Sequence, residues 1–238
     1  MLHLSLLRLA KSDQRWFNLT TYQAHQLIWN AFPEKMKRPF LFHLQEHADH
    51  YGLLVQSTVA PDWSCIPGTE IGLKVIDPCS VTAGDRFRFS LRANPTVERE
   101  GYKDGKRRHI AVSANVELRK ERAHARGVEV SSEDLDRETT LLQWLTRKGK
   151  HAGFKLAGSL HDASDRQCYA GPTVTYQVRR SRQVDLQHRR SSPPITIHGC
   201  DFTGALFVTD AAAFTLARMT GIGRAKAFGF GLLMLTPM

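Results

Sequence analysis

The segment 86–92 alternates strictly between polar and large apolar residues, and this alternation constrains the fold more than any other feature. Phe87, Phe89 and Leu91 take every second position, while arginines and one serine stand between them. Because successive side chains of a β-strand point to opposite faces of the sheet, the segment predicts a strand with one apolar and one basic face. The apolar face belongs to a core and the arginines point away from it.

The segments before this strand predict one helix set between strands. The predicted elements are a strand over residues 2–9, a helix from Thr20 or Thr21 to Phe32, strands at 40–44 and 52–57 around a polar turn at 46–50, and a further strand at 69–76. Either threonine could cap the helix, and Pro33 ends it. The order strand, helix, strand, strand fits a ferredoxin-like α+β unit.

The second half of the chain predicts a similar order. The predicted elements are a helix opened by a capping box at 131–134 and ending near Arg147, a loop-rich segment at 149–158, a strand at 195–208 broken by Gly199 and Gly204, a helix at 211–219 between its cap Asp210 and a left-handed Gly221, and a strand at 232–235. We therefore predict an α+β protein of two tandem ferredoxin-like (RRM-like) domains, with residues 1–95 in the first and 96–238 in the second. The order of elements carries this prediction, since the sequence contains no internal repeat.

The charge balance indicates the chemical class of the partner. The chain has 33 lysines and arginines against 23 aspartates and glutamates, a formal net charge of +10. An excess of this size suits a polyanion, which means nucleic acid or an anionic membrane surface. No segment approaches the roughly 18 uncharged residues that a membrane span needs. The four cysteines form no Cys-x-x-Cys pair, so we expect free thiols, a reducing compartment and a cytoplasmic protein.

One flank of the first predicted helix carries a phenol and an imidazole away from the core. At about 100° per residue, Tyr22, His25 and Trp29 fall together, apart from the apolar stripe that faces the core. Cleavage of RNA without a metal needs such groups, because the 2′-hydroxyl must lose a proton and the departing 5′-oxygen must gain one. The alternative is that Tyr22 and Trp29 pack against the other domain and His25 only forms a hydrogen bond there.

Residues 221–231 combine four glycines with two cations. Glycine lets a backbone approach a phosphate closely, and the cations add positive charge there. The glycine spacing does not fit a Rossmann fingerprint, and the Gly-Lys-Ser/Thr of a Walker loop is absent. A glycine cap followed by a bulged strand is the alternative interpretation. The candidate RNA-binding residues of this segment are Gly221, Gly223, Arg224, Lys226, Gly229 and Gly231.

Three further basic features could bind the backbone of an RNA duplex by its shape. They are the arginine face of the strand at 86–92, a turn at 103–108 and the arginine-rich segment 176–190. The candidate RNA-binding residues there are Arg88, Arg92, Lys103, Lys106, Arg107, Arg179, Arg180 and Arg182. The histidines and carboxylates form no metal-ligand pattern, and no Gly-x-Ser-x-Gly elbow is present, so we predict neither a metal nor another cofactor.

Three segments together resemble the CasE family, the CRISPR repeat-processing endoribonucleases of the type I-E Cascade complex. They are Tyr-Gln-Ala-His-Gln-Leu-Ile-Trp-Asn-Ala-Phe-Pro at 22–33, Phe-Ser-Leu-Arg-Ala-Asn-Pro-Thr at 89–96, and Gly-Ile-Gly-Arg-Ala-Lys-Ala-Phe-Gly-Phe-Gly-Leu-Leu at 221–233. Their order and positions match the family from the N-terminus to the last strand, as does the chain length.

The resemblance implies two tandem ferredoxin-like domains with RNA across a basic face. It implies cleavage at the 3′ base of the repeat hairpin by attack of the 2′-hydroxyl, without a metal and with retention of the guide RNA. The products are a 5′-hydroxyl and a 2′,3′-cyclic phosphate, or a 3′-phosphate after ring opening. Tyr22 and His25 match the family's Tyr-x-x-His pair, and residues 221–231 match its signature loop. Gln26 stands where some relatives carry a basic residue, so that position supplies no cation here.

The expected partners are the CRISPR repeat hairpin, the mature guide RNA and the other Cascade subunits. The alternative function is a non-catalytic RNA-binding subunit of a CRISPR effector complex, because a basic fold of this kind can bind RNA without cutting it. An unrelated basic metabolic enzyme has no cofactor or nucleophile motif to support it.

Overall fold

Two main antiparallel sheets, each with its own apolar core, organise the chain. The computed structural model describes residues 1–33, 36–67, 69–100, 107–112, 124, 136–158, 165–178 and 195–238. The helices and strands are β1 (Leu2–Ala10), α1 (Thr21–Trp29), β2 (Phe40–Glu46), β3 (His50–Ser57), β4 (Glu70–Ile76), β5 (Arg86–Ala93), β6 (Thr96–Glu100), β7 (Arg107–Ala111), α2 (Arg137–His151), β8 (Phe154–Leu156), β9 (Cys168–Ala170), β10 (Val174–Val178), β11 (Ile195–Val208), α3 (Ala211–Thr220) and β12 (Leu233–Pro237).

The first sheet has the strand order β2-β3-β1-β4, and α1 packs on one of its faces. Leu7 of β1 stands opposite Leu53 of β3 and Ile71 of β4, so apolar positions of three strands meet on the same side. Ala24 and Ile28 of α1 are fully buried in this core. The apolar stripe predicted from helical spacing therefore does face the sheet.

Helix α1 begins at a capping box and ends earlier than predicted. The Thr20 hydroxyl accepts a hydrogen bond from the backbone N–H of Gln23, and the Gln23 side chain accepts one from the backbone N–H of Thr20. The α-helix ends at Trp29 rather than at Phe32. The N–H groups of residues 30–32 each donate to the carbonyl three positions back, so the last turn tightens into 3-10 geometry.

The second sheet has the order β10-β11-β5-β12, and the short strands β8 and β9 also pair with β11. Phe89 and Leu91 of β5 are buried in its core and Phe87 packs at its margin, as the alternation at 86–92 predicts. Trp144 of α2 and Phe214 of α3 fill the same core from the helical side. Cys168 and Cys200 are buried there as free thiols.

The two sheets share one strand order, which confirms the tandem ferredoxin-like fold. Counting β1, β2, β3 and β4 of the first unit against β5, β10, β11 and β12 of the second, both sheets read second-third-first-fourth. The units differ between their third and fourth strands. The second unit has α3 at this point, whereas the first has only the 3-10 turn Trp63–Cys65. The apolar side chains of Leu73 and Val75 on β4 are therefore more than half exposed.

Two predictions in the second half are wrong, namely the end of helix α2 and the loop that follows it. Helix α2 runs past Arg147 to His151, because Gly149 stays helical and packs so closely on Phe154 that a Cβ would lie 2.8 Å from the ring. Its cap at the N-terminus is Asp136, whose carboxylate accepts from the N–H of Thr139, while the capping box at 131–134 lies outside the described residues. Strand β8 occupies part of the predicted loop at 149–158.

Strand β11 continues through both glycines that were predicted to break it. A Cβ on Gly199 would lie 2.6 Å from the Phe230 ring and 2.7 Å from that of Tyr176, so glycine serves close packing there. Asp210 caps α3 through the N–H of Ala213, as predicted. Gly221 has the expected positive φ of 77°, but its ψ of 161° lies outside the left-handed helical region.

Strand β5 pairs with β11 and β12 and therefore belongs to the second sheet. We propose that the domain boundary falls in the connection between β4 and β5, ahead of residue 95. Strands β6 and β7 pair antiparallel on either side of the turn predicted at 103–108, most of which lies outside the described residues.

The C-terminus of α3 connects the second unit to the first. The Gln56 amide donates to the carbonyl of Arg218 at 2.6 Å, and the Thr215 hydroxyl donates to the carbonyl of Pro78 at 3.0 Å. In the ranges given above, no helix is both long enough and apolar enough to span a membrane.

Candidate active site

His25 lies in an aromatic setting made by α1 and β2. Its ring centroid is 5.6 Å from that of Phe40 and 6.2 Å from that of Phe42, and the Phe42 ring is stacked on it. Phe40 and Phe42 are two positions apart on β2, so they lie on the same face of the strand. That face packs in the core that also contains Ala24 and Ile28 of α1. The indole N–H of Trp29 donates to Nε2 of His25 at 3.2 Å. Three aromatic side chains and a hydrogen bond therefore hold the imidazole in one place.

The surroundings of His25 favour its neutral form. Partial burial lowers the pKa of His25, and the positive charge of Arg38 lowers it further. The side chain of Arg38 is exposed in the segment that leads into β2. Arg38 is not among the residues predicted from the sequence, because no motif or periodicity includes this connecting segment.

Tyr22 lies one helical turn before His25, and its ring contacts the second unit. It packs against the buried cluster of Ile197 and Phe230, together with Tyr176 and Phe228. This is the interdomain packing that the alternative interpretation expected for Tyr22. Trp29, in contrast, packs at the margin of the first core. The two members of the predicted pair thus have different neighbours, and α1 connects them.

The glycine-rich segment 221–231 folds back onto the first unit. It contains the 3-10 turn Lys226–Phe228, which lies against α1, and its Ala225 and Phe228 pack in the cluster that holds Tyr22. A Cβ on Gly221 would lie 2.8 Å from a methyl group of Leu41. A Cβ on Gly229 would lie 3.2 Å from the ring of Phe42, the β2 residue that is stacked on His25 of α1.

The backbone of this segment also requires glycine. Positive φ angles recur at every glycine that the sequence analysis singled out, namely 77° at Gly221, 82° at Gly223, 81° at Gly229 and 89° at Gly231. The segment is therefore more than a cap followed by a bulged strand. The segment packs on the first helix, so the two sites predicted separately from the sequence form one candidate site.

Lys226 is a cation of this segment on which the charge of Arg38, in the first unit, acts. The side chain is half-buried, and a Cβ on Gly231 would lie 3.3 Å from its Cγ. Burial lowers the pKa of Lys226, and the charges of Arg38 and Lys148 lower it further. Arg224, the other predicted cation of the segment, has an exposed side chain.

The remaining RNA-binding candidates differ in their surroundings. Arg88 is exposed on β5. Arg92 is engaged within the protein, because its guanidinium donates to both carboxylate oxygens of Asp201 at 2.8 and 3.1 Å and to the carbonyl of Leu44 at 3.4 Å. Arg107 begins β7. The candidates that lie outside the described residues are Lys103, Lys106, Arg179, Arg180 and Arg182.

Metal-ligating side chains do not cluster in the part of the chain that the structure describes. No group of three or more histidine, cysteine, aspartate or glutamate residues there is arranged to hold an ion. The groups around His25 are instead the rings of Trp29, Phe40 and Phe42 and the positive charge of Arg38.

Fold and site together define a class: a tandem ferredoxin-like protein whose glycine-rich C-terminal segment packs on a histidine-bearing helix. A family model described as "CRISPR associated protein" matches residues 2–237, and the chain belongs to that family. The CRISPR system Cascade subunit CasE of Escherichia coli (strain K12) is 27% identical over 222 residues, which cover 91% of this chain and 92% of the relative. These matches agree with the resemblance seen in the three sequence motifs.

A second relative and a solved structure agree with this assignment. The CRISPR-associated endoribonuclease Cse3 of Thermus thermophilus is 24% identical over 220 residues, 89% of this chain and 80% of that protein. A structure of CRISPR endoribonuclease Cse3 bound to 19 nt RNA superposes with a TM-score of 0.71 at 22% identity. The superposition covers 99% of this chain and 100% of the other, so the two proteins share the whole fold.

Proposed function

We propose that this protein is a metal-independent endoribonuclease that cleaves CRISPR precursor RNA at the 3′ base of the repeat hairpin. The observation that carries the proposal is the position of His25, held by Trp29, Phe40 and Phe42 beside the glycine-rich segment. Family membership and the two relatives, one named an endoribonuclease and one a Cascade subunit, support the same activity.

The proposed reaction is an in-line displacement at phosphorus. His25 accepts the proton of the 2′-hydroxyl, since its lowered pKa keeps the imidazole neutral and able to act as a base. The 2′-oxygen forms a bond to phosphorus, and the bond from phosphorus to the 5′-oxygen breaks. Tyr22 gives that oxygen its proton, which leaves a 5′-hydroxyl and a 2′,3′-cyclic phosphate. Water then reprotonates Tyr22 and removes the proton from His25.

The partners follow from the same proposal. The exposed Arg88, the segment 221–231 and the arginine-rich segment 176–190 bind the repeat hairpin, and the protein retains the guide RNA after cleavage. It assembles with other Cascade subunits, as the name of the E. coli relative states for that protein. We also propose a cytoplasmic location, as expected from the sequence.

Cleavage of a labelled repeat hairpin in EDTA tests the proposal. We expect the wild-type protein to cleave in the chelator, and His25→Ala to lose cleavage while its RNA dissociation constant stays within about threefold. His47→Ala is the matched control, because His47 is exposed in the β2–β3 turn.

Loss of wild-type activity in EDTA would contradict the metal-independent mechanism, and an active His25→Ala would contradict the assignment of the base. Tight hairpin binding without any cleavage by the wild-type protein would favour the non-catalytic RNA-binding subunit.

A further inference from the structure

Like charges converge where the glycine-rich segment meets α1 and β2. Arg38 stands two residues before Phe40, whose ring centroid lies 5.6 Å from that of His25, and the turn that holds Lys226 packs on both α1 and β2. The positive charge of Arg38 accordingly acts on both His25 and Lys226. Lys148, an exposed residue of α2, adds its charge at Lys226. The cations come from three elements that are far apart in the sequence, so the tertiary fold brings them together.

This convergence is unfavourable in the protein by itself. The electrostatic influences on His25 and Lys226 come from cations, and the described residues include no ion pair to Arg38 or Lys226. Some cations elsewhere in the described residues do have carboxylate partners; among these pairs are Arg8–Asp49, Lys11–Glu46, Arg15–Asp13, Arg92–Asp201 and Arg166–Glu138. An anion bound among Arg38, Lys226 and His25 would relieve the repulsion.

The local structure holds the two cations differently. Lys226 is half-buried in a turn that packs on α1, and the turn is followed by Gly229 on the Phe42 ring. Its ammonium group is therefore largely positioned before any ligand arrives. Arg38 is an exposed residue, although partial burial lowers the pKa of its guanidinium, and this group can form a bidentate contact with two phosphate oxygens.

We propose that Arg38 and Lys226 form the binding site for the scissile phosphate of the RNA and stabilise the additional negative charge on its oxygens as the 2′-oxygen attacks. This site rests on the proposed endoribonuclease function and adds to it the source of positive charge. The charge of Arg38 acts on the imidazole that receives the proton, and Lys226 lies in the turn that packs on the same helix, so the phosphate they hold is the one next to the reacting 2′-hydroxyl.

The first test needs no RNA. The pKa of His25 is measured by NMR in the wild-type protein, Arg38→Gln and Lys226→Gln, with and without inorganic phosphate. We expect Arg38→Gln to raise the pKa of His25, and phosphate to raise it in the wild-type protein but much less in either variant. Lys74→Gln on the exposed side of β4 is the matched control and should behave as the wild type. A wild-type His25 that does not respond to phosphate would overturn the site.

The second test separates the site from the function. Single-turnover cleavage at saturating repeat RNA should fall by about tenfold or more in Arg38→Gln and Lys226→Gln, with partial rescue in Arg38→Lys and less change in RNA affinity. Wild-type rates in both variants would refute the phosphate site and leave the endoribonuclease assignment intact. A wild-type protein that responds to phosphate at His25 but cleaves no RNA would refute the function while the anion site stands.

Discussion

The indole N–H of Trp29 donates a hydrogen bond to Nε2 of His25 across one turn of α1, at 3.2 Å. An indole can only donate, so Nε2 must offer its lone pair, and the neutral imidazole carries its proton on Nδ1. Protonation at Nε2 would place two N–H groups against each other. The hydrogen bond therefore favours a neutral His25, in the same direction as burial and the charge of Arg38. It must also be given up before Nε2 accepts a proton from RNA.

Replacement of Trp29 should shift the pH at which the cleavage rate declines on the acidic side. We expect Trp29→Phe to raise the pKa of His25, because Nε2 becomes free to hold a proton. A base must be deprotonated, so the rate of the variant should decline at a higher pH than that of the wild type. NMR titration of His25 and single-turnover rates between about pH 5 and 8 measure the two effects.

Trp63→Phe is the control for this experiment, because the Trp63 indole donates to the hydroxyl of Ser5 in the same core. It should lower stability without moving the pKa of His25. An equal shift in both variants, or none in Trp29→Phe, would show that the hydrogen bond does not influence the imidazole.

His43 should make the stability of the protein depend on pH. Burial first, and then the charge of Arg92, lower its pKa from 6.5 to about 4, while Asp201 opposes them. Between these two values the unfolded chain binds more protons than the folded protein, so the free energy of unfolding decreases as the pH falls. The greatest contribution of this residue is about 3 kcal/mol.

Urea denaturation at several pH values gives the free energy of unfolding of the wild type and of His43→Gln. The difference between the two measures the contribution of His43. We expect the difference to change as the pH falls from 6.5 to 4 and to level off above 6.5. His151→Gln, at an exposed position, should show no such change. A difference between wild type and His43→Gln that stays constant with pH would exclude His43 as the source of the pH dependence of stability.

Gly221 should tolerate a side chain less well than Gly84, although both have positive φ angles. Alanine at Gly84 meets no atom within 4 Å, so backbone strain alone should cost about 1–2 kcal/mol. Alanine at Gly221 adds contacts of 2.8 Å to Leu41 and 2.9 Å to the carbonyl oxygen of Gly231, which also accepts the N–H of Ile222. We expect a larger loss of stability and slower RNA cleavage in Gly221→Ala. Equal effects in the two variants would contradict the close packing of this segment.

Arg88 and Arg92 should have different roles although they lie on the same face of one strand. Arg88→Gln should weaken RNA binding and reduce the slope of log affinity against log salt by about 1. Arg92→Gln should instead lower the free energy of unfolding by about 1 kcal/mol, because it removes a partly exposed bidentate contact with Asp201. Dissociation constants at several salt concentrations and urea unfolding distinguish the two. An equal loss of RNA affinity in both variants would contradict this division.

The sequence predicted the elements well where local residues decide them. The alternation around Phe89, the capping of α1 and the Asp210 cap of α3 are all confirmed, and so is the tandem fold. The errors fall where distant packing competes with a local signal. Gly149 and Gly199 predicted interruptions, but each is a glycine because an aromatic ring lies against its backbone, on Phe154 and on Phe230. The hydrophobic pattern of the sequence does not predict such contacts between distant residues.

The candidate site shows the same division. Helical spacing placed Tyr22 and His25 on one flank of a helix, and the glycine-rich segment was recognised from its own residues. Neither pattern contained Arg38, because a single exposed arginine in a connecting segment looks like any other. Its relation to His25 and Lys226 exists only after β2 has packed beside α1.

By itself, the sequence determined the identity of most helices and strands and the tandem order of the two units, because caps and alternation act among residues close in the chain. The tertiary structure alone decided that the charge of Arg38 acts on His25, that Arg92 binds Asp201, and that the C-terminal glycines lie on the first unit. Those contacts join segments from opposite ends of the chain. Their energies depend on the packing and charge of both partners, which neither segment carries alone.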